Sequence, residues 1–207
     1  MVLGKLKDKV ERIGKDILEK GLAKIMPRNP NILTILSLII ALPTPYLMGL
    51  HHYWAYILTF VLLILASALD MLDGLIARYW GRTSKLGAFL DSTLDRYVDF
   101  IALIDIWIAS DRGLLSIISL LLAILGSLMT SYARARAEAL GVKMMGIGLL
   151  EREERLIIIL LILLIFIITG INAVMVYGLA LLALLTNITA IERIVIVIRS
   201  LSNSTGR

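Results

Sequence analysis

Two closely spaced pairs of aspartates are the residues best suited to chemistry in this sequence. Asp70 and Asp73 are three residues apart and Asp91 and Asp95 are four apart, so each pair shares one face of a helix. A short polar turn at 81–85 joins the two helices, which makes them antiparallel neighbours with the carboxylates at one height. Four hard oxygen donors suit Mg²⁺ or Mn²⁺, and two ions about 3.5–4 Å apart are expected.

Two glycines and an arginine lie beside these carboxylates. Gly74 and Gly87 leave room for a ligand or a second backbone to approach, although small residues also serve helix packing in membranes, and the sequence leaves both interpretations open. Arg78 offers a planar guanidinium that matches phosphate oxygens. The residue types therefore favour a site for a phosphorylated ligand held together with divalent cations.

The composition shows which kind of protein must position these side chains. The 207 residues are 59% hydrophobic and 18% charged, against about 45–50% and about 25% in ordinary soluble domains. Without cysteine, metal ligands must be oxygen or histidine. The net charge of +5 suits an anionic lipid surface, and no aromatic pattern typical of RNA binding accompanies the basic residues, so no nucleic-acid partner is expected.

The order of apolar runs predicts an all-α integral membrane protein with six transmembrane helices and an N-terminal interfacial amphipathic helix. That amphipathic helix falls in residues 1–29, for which a solvated charged arm is the alternative, and a membrane domain at 30–200 and a short polar tail at 201–207 follow. The predicted spans are Asn31–Leu50, Tyr53–Leu69 continuing to Arg78, Leu86 to about Ser110, Leu114–Ala133, Leu156–Thr169 and Ala173 to about Ile191.

Basic residues give these spans an orientation. With six spans both termini share one side of the membrane, and twenty of the 21 Lys and Arg residues then fall on that side, Arg112 being the exception. The positive-inside rule therefore predicts a multi-pass protein of the cell membrane with both termini and the aspartates facing the cytoplasm. His51 and His52 lie at the opposite side and are not expected to bind the metal.

The cost of charge in a membrane keeps a second class of function open. An ionised carboxylate in apolar surroundings costs about 2.5–3.5 kcal/mol on insertion scales, so a compensating cation is expected. Intramembrane carboxylates also mark ion pathways, which makes a cation channel or transporter the alternative. All four aspartates lie at one face of the membrane, and no acidic chain crosses it, which favours an enzyme.

At this point the sequence resembles a known family. Asp70-Met-Leu-Asp73-Gly74-Leu-Ile-Ala77-Arg78, eight further residues, and Gly87-Ala-Phe-Leu-Asp91-Ser-Thr-Leu-Asp95 fill every position of the D-x-x-D-G-x-x-A-R-x8-G-x3-D-x3-D signature of CDP-alcohol phosphotransferases. The resemblance implies transfer of a phosphatidyl-type group from a CDP-linked lipid to an alcohol, with release of CMP and no covalent enzyme intermediate. It also implies a homodimer.

The resemblance assigns roles to individual residues. It implies metal binding by Asp70, Asp73, Asp91 and Asp95, of which Asp95 is also the general base. Contacts to the CDP-lipid are implied for a set drawn from the start of the first span and from the signature: Asn31, Thr34, Asp70, Gly74, Arg78 and Ser84.

Two later segments bear on the acceptor alcohol. Ser131–Glu138 and Leu150–Arg155 resemble the S-Y-x-[KR]-A-R-A-E and E-R-x-E-R segments of the branch that uses inositol phosphate. The resemblance implies a pocket for the acceptor's phosphate made by Arg134, Arg136, Arg152 and Arg155. From the residues alone, these arginines are equally able to pair with nearby glutamates, and two arginines that are two positions apart point away from each other on a helix.

The expected reaction therefore moves the lipid phosphate group of CDP-diacylglycerol or CDP-archaeol onto inositol 1-phosphate. Glycerol 3-phosphate is the alternative acceptor, because it needs a similar anion pocket. The lipid tail stays undetermined, since its chains would meet undifferentiated leucine and isoleucine surfaces.

Overall fold

A computed structural model describes residues 27–144 and 146–205, and the regular structure of these residues is entirely helical. The helices are α1 (Asn31–Ala41), α2 (Thr44–Gly49), α3 (Tyr53–Tyr79), α4 (Lys85–Ala109), α5 (Leu114–Ala139), α6 (Arg152–Thr169) and α7 (Asn172–Thr205). The predicted all-α class is thus confirmed for this part of the chain. The predicted interfacial helix at 1–29 lies almost wholly outside the described residues.

Four of these stretches are long and apolar enough to cross a membrane by length and composition: Asn31–Gly49, Tyr53–Tyr79, Leu114–Ala139 and Asn172–Asn203. They agree with four of the six predicted spans. Helices α4 and α6 also coincide with predicted spans, but they carry more charged side chains. Those charges include the aspartates and arginines of the candidate site, and side chains of this kind avoid lipid by facing protein or water.

The first predicted span is two helices. Pro43 and Pro45 flank the start of α2, and proline interrupts a helix because it lacks an N–H and its ring collides with an earlier carbonyl. The hydroxyl of Thr44, the first residue of α2, donates a hydrogen bond to Asp105 Oδ2 on α4 over 2.6 Å. Because both side chains are fully buried, this contact fixes the start of α2.

The last helix is longer than predicted. Helix α7 runs to Thr205, so residues 201–205 continue the helix instead of forming a separate polar tail. The reason is local: no proline or glycine occurs between Gly178 and Gly206, and polar residues at an exposed helix end do not stop its backbone hydrogen bonds.

The chain divides into two compact units. One contains the residues through Pro43 together with Leu62–Val98, and the other contains Thr44–Val61 with Asp99–Arg207. The apolar core of the first unit joins Leu33 of α1 to Leu75 and Ile76 of α3, with Leu69 and Leu72 packed against them. These α3 residues recur every three or four positions and so form one helix face, which leaves the adjacent positions for Asp70 and Asp73.

In the second unit, small residues bring α5 and α7 into close contact. A Cβ atom at Gly126 would lie 2.4 Å from Thr186 Oγ1 and 2.8 Å from the backbone nitrogen of Asn187. The Asn187 side chain donates to the Leu122 carbonyl over 2.8 Å, and Thr130 Oγ1 donates to the Thr186 carbonyl over 3.2 Å. Small residues and interhelical hydrogen bonds are the usual means of association between membrane helices.

We expect Gly126→Ala to destabilise the protein, because the new methyl group overlaps the backbone of α7. Overpacking of this kind costs about 1–3 kcal/mol, which corresponds to a fall in Tm of about 2–10 °C. Thermal unfolding of the detergent-solubilised protein, followed by tryptophan fluorescence, measures the effect. Gly49→Ala is the matched control, since nothing lies within 4 Å of its Cβ position. Equal Tm values for the two variants would contradict the proposed packing.

Candidate active site

Three of the four predicted metal-binding carboxylates converge in the first unit. One oxygen from each of Asp70, Asp91 and Asp95 lies within 4.8 Å of the other two. Asp70 and Asp91 are half-buried and Asp95 is buried. Asp70 comes from α3 and the other two from successive turns of α4, as the i, i+4 spacing predicts. The group can hold a divalent cation, since it provides three hard oxygen ligands at one point.

The turn between α3 and α4 makes this convergence possible. Gly81 has a positive φ of 61°, its N–H donates to the Arg78 carbonyl, and the Arg82 N–H donates to the Ala77 carbonyl. These two bonds form a Schellman motif, which ends α3 and reverses the chain. The Ser84 hydroxyl then accepts the Gly87 N–H over 3.0 Å and caps the start of α4.

Asp73 has a different environment from the other three aspartates. Its side chain is buried, and Thr34 Oγ1 on α1 donates a short hydrogen bond to its Oδ2. It also lies within electrostatic range of Asp70 and Asp91. The structure therefore places Asp73 beside the three converging carboxylates and ties it to α1 through Thr34, a predicted contact of the CDP-lipid.

Asp95 has a cationic neighbour on its own helix. Arg96 Nη1 lies 3.3 Å from Asp95 Oδ2 and also donates to the Ser92 carbonyl. The arginine offsets part of the negative charge that accumulates where three carboxylates meet. A buried carboxylate with such a neighbour is suited to bind a cation or to accept a proton from a bound hydroxyl.

Two further residues of the predicted CDP-lipid site, Asn31 and Ser84, meet Gly87 at the start of α4. A Cβ atom at Gly87 would lie 3.0 Å from Asn31 Oδ1 and 3.1 Å from Ser84 Oγ. Glycine at this position therefore lets the first residue of α1 approach the N-terminus of α4. By contrast, a Cβ atom at Gly74 would make only an ordinary contact, 3.5 Å from Arg78 Nη1, and Arg78 itself is exposed.

In the second unit, two of the predicted acceptor arginines share one carboxylate. Arg155 is 2% exposed and its Nη2 donates to Asp99 Oδ2, while Arg152 Nε lies 3.7 Å from Asp99 Oδ1. Both arginines belong to the first turn of α6, whose N-terminus is closed by a capping box between Glu151 and Glu154. Asp99 thus makes a polar contact between α4 and α6.

The other two predicted acceptor arginines lie on α5 and are more accessible. Arg134 Nε donates to Glu138 Oε1 over 3.0 Å, an i, i+4 pair within the helix, and Arg136 is exposed. Arg134 nevertheless lies within electrostatic range of the buried Arg193, as Arg155 does. The second unit therefore concentrates positive charge from α5, α6 and α7 in one region.

Arg193 is a structural residue of this region that sequence reasoning missed. It is 3% exposed; its Nε donates to the Ile147 carbonyl and its Nη1 to the Thr130 carbonyl, each over 2.8 Å. Its Nη2 also lies 3.8 Å from Glu151 Oε1. Arg193 thus ties the segment that enters α6 to α5 and α7. The available signal was an arginine inside an apolar helix, where a charge is costly unless it has partners.

Neighbouring residues of α7 hold the same segment. Thr189 Oγ1 accepts the Leu150 N–H over 3.0 Å and Glu192 Oε2 accepts the Leu149 N–H over 3.1 Å. Gly148 has a φ of 124°, and a Cβ atom there would lie 2.7 Å from Thr189 Cγ2. The backbone before α6 is therefore fixed by direct contacts, which sets where the arginines of its first turn begin.

Comparisons with known proteins identify the family of this chain. A sequence profile of the CDP-alcohol phosphatidyltransferases matches residues 28–198. Archaetidylinositol phosphate synthase of Pyrococcus horikoshii is 40% identical over 190 residues, which cover 92% of this chain and 91% of that protein.

Two solved structures of Mycobacterium tuberculosis phosphatidylinositol phosphate synthase are also similar. The form with CDP-DAG bound has a TM-score of 0.70 and 31% identity, over 90% of this chain and 92% of that chain. The form in complex with manganese and citrate has a TM-score of 0.71 and 31% identity, over 90% and 87% of the two chains. The chain therefore belongs to the CDP-alcohol phosphatidyltransferase family, as its aspartate signature predicts, and it is a membrane-embedded transferase of that type.

Proposed function

We propose that this transferase moves the lipid phosphate group of a CDP-lipid onto inositol 1-phosphate, giving a phospholipid inositol phosphate and CMP. A hydroxyl oxygen of the acceptor forms a bond to the phosphorus nearest the lipid. The bond from that phosphorus to the oxygen bridging it to the cytidine phosphate breaks, CMP leaves with the bond's electrons, and the acceptor hydroxyl loses its proton. The observation that carries the proposal is the convergence of Asp70, Asp91 and Asp95 within 4.8 Å.

The donor set fits the divalent cations that such a reaction needs. Two oxygens bound to one Mg²⁺ at about 2.1 Å lie at most about 4.2 Å apart, so the three carboxylates are within roughly half an ångström of that limit. We propose that Asp70, Asp73, Asp91 and Asp95 hold Mg²⁺ or Mn²⁺, in all two ions. When bound, the cations supply positive charge that offsets the charge developing on the pyrophosphate oxygens. The manganese complex of the mycobacterial relative supports this choice of metal.

Within this cluster, we assign the proton transfer to Asp95. It is the most buried of the three converging carboxylates, and Arg96 Nη1 lies 3.3 Å from its Oδ2. An ionised carboxylate can accept the proton of an acceptor hydroxyl that comes within hydrogen-bond reach. The neighbouring Asp70 and Asp91 are then left for the cation.

We propose that the cytidine diphosphate part of the donor binds the polar residues around the start of α4. This set contains Asn31, Thr34, Asp70, Gly74, Arg78 and Ser84. The contact of Gly87 with Asn31 and Ser84 supports it, because it brings α1 and α4 together. A lipid donor keeps its chains in the bilayer and its nucleotide in water, so a site at the end of membrane helices serves both parts. The mycobacterial relative with CDP-DAG bound supports a donor of this class.

For the acceptor, we propose that Arg134, Arg136, Arg152 and Arg155 supply the positive charge that binds its phosphate. Guanidinium groups match phosphate oxygens with two hydrogen bonds. Arg134 and Arg155 both lie within electrostatic range of Arg193, which supports the assignment. The names of the relatives favour inositol phosphate over glycerol 3-phosphate. The lipid chain of the donor, diacylglycerol or archaeol, is left open by this proposal.

The setting of the reaction follows from the charge distribution. We propose that the protein works in the cell membrane with both termini and the carboxylates facing the cytoplasm, because twenty of 21 Lys and Arg residues lie on that side of the predicted topology. We also propose that the protein is a homodimer, as the family resemblance implies.

Asp95→Asn is expected to lower kcat by about 10²–10⁴, because the amide cannot accept the acceptor's proton. Binding of the CDP-lipid should change little. The measurement is CMP release by purified protein in detergent or nanodiscs with CDP-lipid, inositol 1-phosphate and Mg²⁺, together with a separate binding assay for the donor. Ser92→Ala, on the exposed side of the same helix, is the control. Turnover by Asp95→Asn at the wild-type rate would remove Asp95 as the base.

Arg152→Ala is expected to raise the KM for inositol 1-phosphate by about 10- to 100-fold with a smaller effect on the KM for CDP-lipid, since a hydrogen bond to a charged group contributes about 1.5–3 kcal/mol. Initial rates over a range of both substrates measure the two constants. Lys143→Ala provides the comparison, because it removes an exposed cation from the connection that precedes α6. An unchanged acceptor KM in Arg152→Ala would reject its proposed role.

Metal dependence can be tested without turnover. Binding of Mn²⁺ to the purified protein, followed by electron paramagnetic resonance, should weaken at least tenfold in Asp91→Asn, since one of three converging oxygen ligands loses its charge. Asp111→Asn, in the loop between α4 and α5, should bind as the wild type does. Equal Mn²⁺ affinity in Asp91→Asn and the wild type would count against the carboxylate site.

A further inference from the structure

Asp99 contacts two arginines that differ sharply in exposure. Arg155 is 2% exposed and donates to Asp99 Oδ2, whereas the side chain of Arg152 is 19% exposed and its Nε lies 3.7 Å from Asp99 Oδ1. Asp99 itself is 2% exposed. One arginine of the pair therefore has almost no surface with which to touch a ligand, while the other keeps part of its side chain accessible.

The buried pair is not arranged for stability alone. Among the described residues, Arg155 Nε and Asp99 Oδ1 have no hydrogen-bond partner, although both atoms are buried. A buried polar atom without a partner costs free energy, and a purely structural ion pair would be more stable with two bonds between carboxylate and guanidinium. Asp99 Oδ1 instead lies toward Arg152, the more accessible arginine.

From these contacts we propose that Asp99 is a positioning residue for the acceptor site. It binds the buried Arg155, and this pair holds Arg152 where its guanidinium meets the phosphate of the acceptor. This narrows the role given to Arg155 in the proposed phosphate pocket: because it is 2% exposed, it acts through Asp99 and does not touch the acceptor. The inference rests on the proposed function, since it assigns parts within the phosphate pocket of that reaction.

Charge explains why a carboxylate is needed between the arginines. Two guanidinium groups on one helix turn repel each other, and the repulsion would turn the more accessible one toward solvent. With Asp99 between them the group carries a net charge of +1, so Arg152 can remain near Arg155 and still attract a phosphate dianion.

The decisive experiment replaces the whole buried pair. Removing one partner alone leaves an uncompensated buried charge and destabilises the fold, whereas apolar residues of similar size at both positions are often neutral for stability. The double variant Asp99→Leu with Arg155→Met is therefore compared with the wild type for Tm, for KM and kcat with inositol 1-phosphate, and for binding of CDP-lipid. Asp99→Glu serves as the conservative variant, and Gly126→Ala as a destabilised control.

If Asp99 positions Arg152, the double variant keeps a Tm near that of the wild type but raises the acceptor KM at least tenfold. Its kcat at saturating acceptor and its donor affinity should change less than about threefold. Asp99→Glu, which keeps the charge, should recover most of the acceptor affinity, and Gly126→Ala should lose stability without a change in KM. A double variant with the wild-type acceptor KM would overturn the inference. The inference would also be overturned if Gly126→Ala, at an equal loss of stability, showed the same rise in acceptor KM as the double variant.

The wild-type protein separates this inference from the proposed function. If the wild type releases no CMP with inositol 1-phosphate or glycerol 3-phosphate, the proposed function fails and the inference falls with it. If the wild type releases CMP but the double variant has the same KM for inositol 1-phosphate as the wild type, the proposed function stands and the role of Asp99 is rejected.

Discussion

Repulsion between carboxylates is the constraint on which the active site depends. At a separation near 4.8 Å, two negative charges repel by about 3 kcal/mol for an effective dielectric constant of about 20. Helix packing must overcome this repulsion before any ligand binds. The Gly81 turn, the contact of Gly87 with Asn31 and the hydrogen bond from Thr34 to Asp73 all bring α1, α3 and α4 together against it. A divalent cation bound among these carboxylates would relieve the repulsion.

In the second unit the buried charges are positive, and the N–H groups of the buried arginines need hydrogen-bond acceptors. Asp99 binds Arg155, and the carbonyls of Ile147 and Thr130 bind Arg193, so each guanidinium has partners inside the helices. Full neutralisation would leave no attraction for an anion. The side chain of Arg134, which is 39% exposed, keeps part of the positive charge near water.

Most helices follow from local sequence because their ends have local causes. Proline at 43 and 45 breaks the first span, Gly81 ends α3, and the absence of proline and glycine after Gly178 lets α7 run to Thr205. The length of the last helix was nevertheless missed, since a hydropathy pattern records where apolar residues lie and not where backbone hydrogen bonds stop. The six-span topology remains a prediction, because α4 and α6 carry more charged side chains than the four helices that are long and apolar enough to cross a membrane.

The sequence alone determined the family, through the aspartate signature. It also determined the carboxylate cluster, because i, i+3 and i, i+4 spacing fixes which side chains share a helix face, and a short turn fixes which helices are neighbours. It also drew attention to Arg152 and Arg155 through the family resemblance. Only the tertiary structure decided their partners: Thr34 for Asp73, Asp99 for Arg155, and two backbone carbonyls for Arg193. These contacts join residues 39, 56, 46 and 63 positions apart. The packing of whole helices sets such pairings, and no local spacing encodes them.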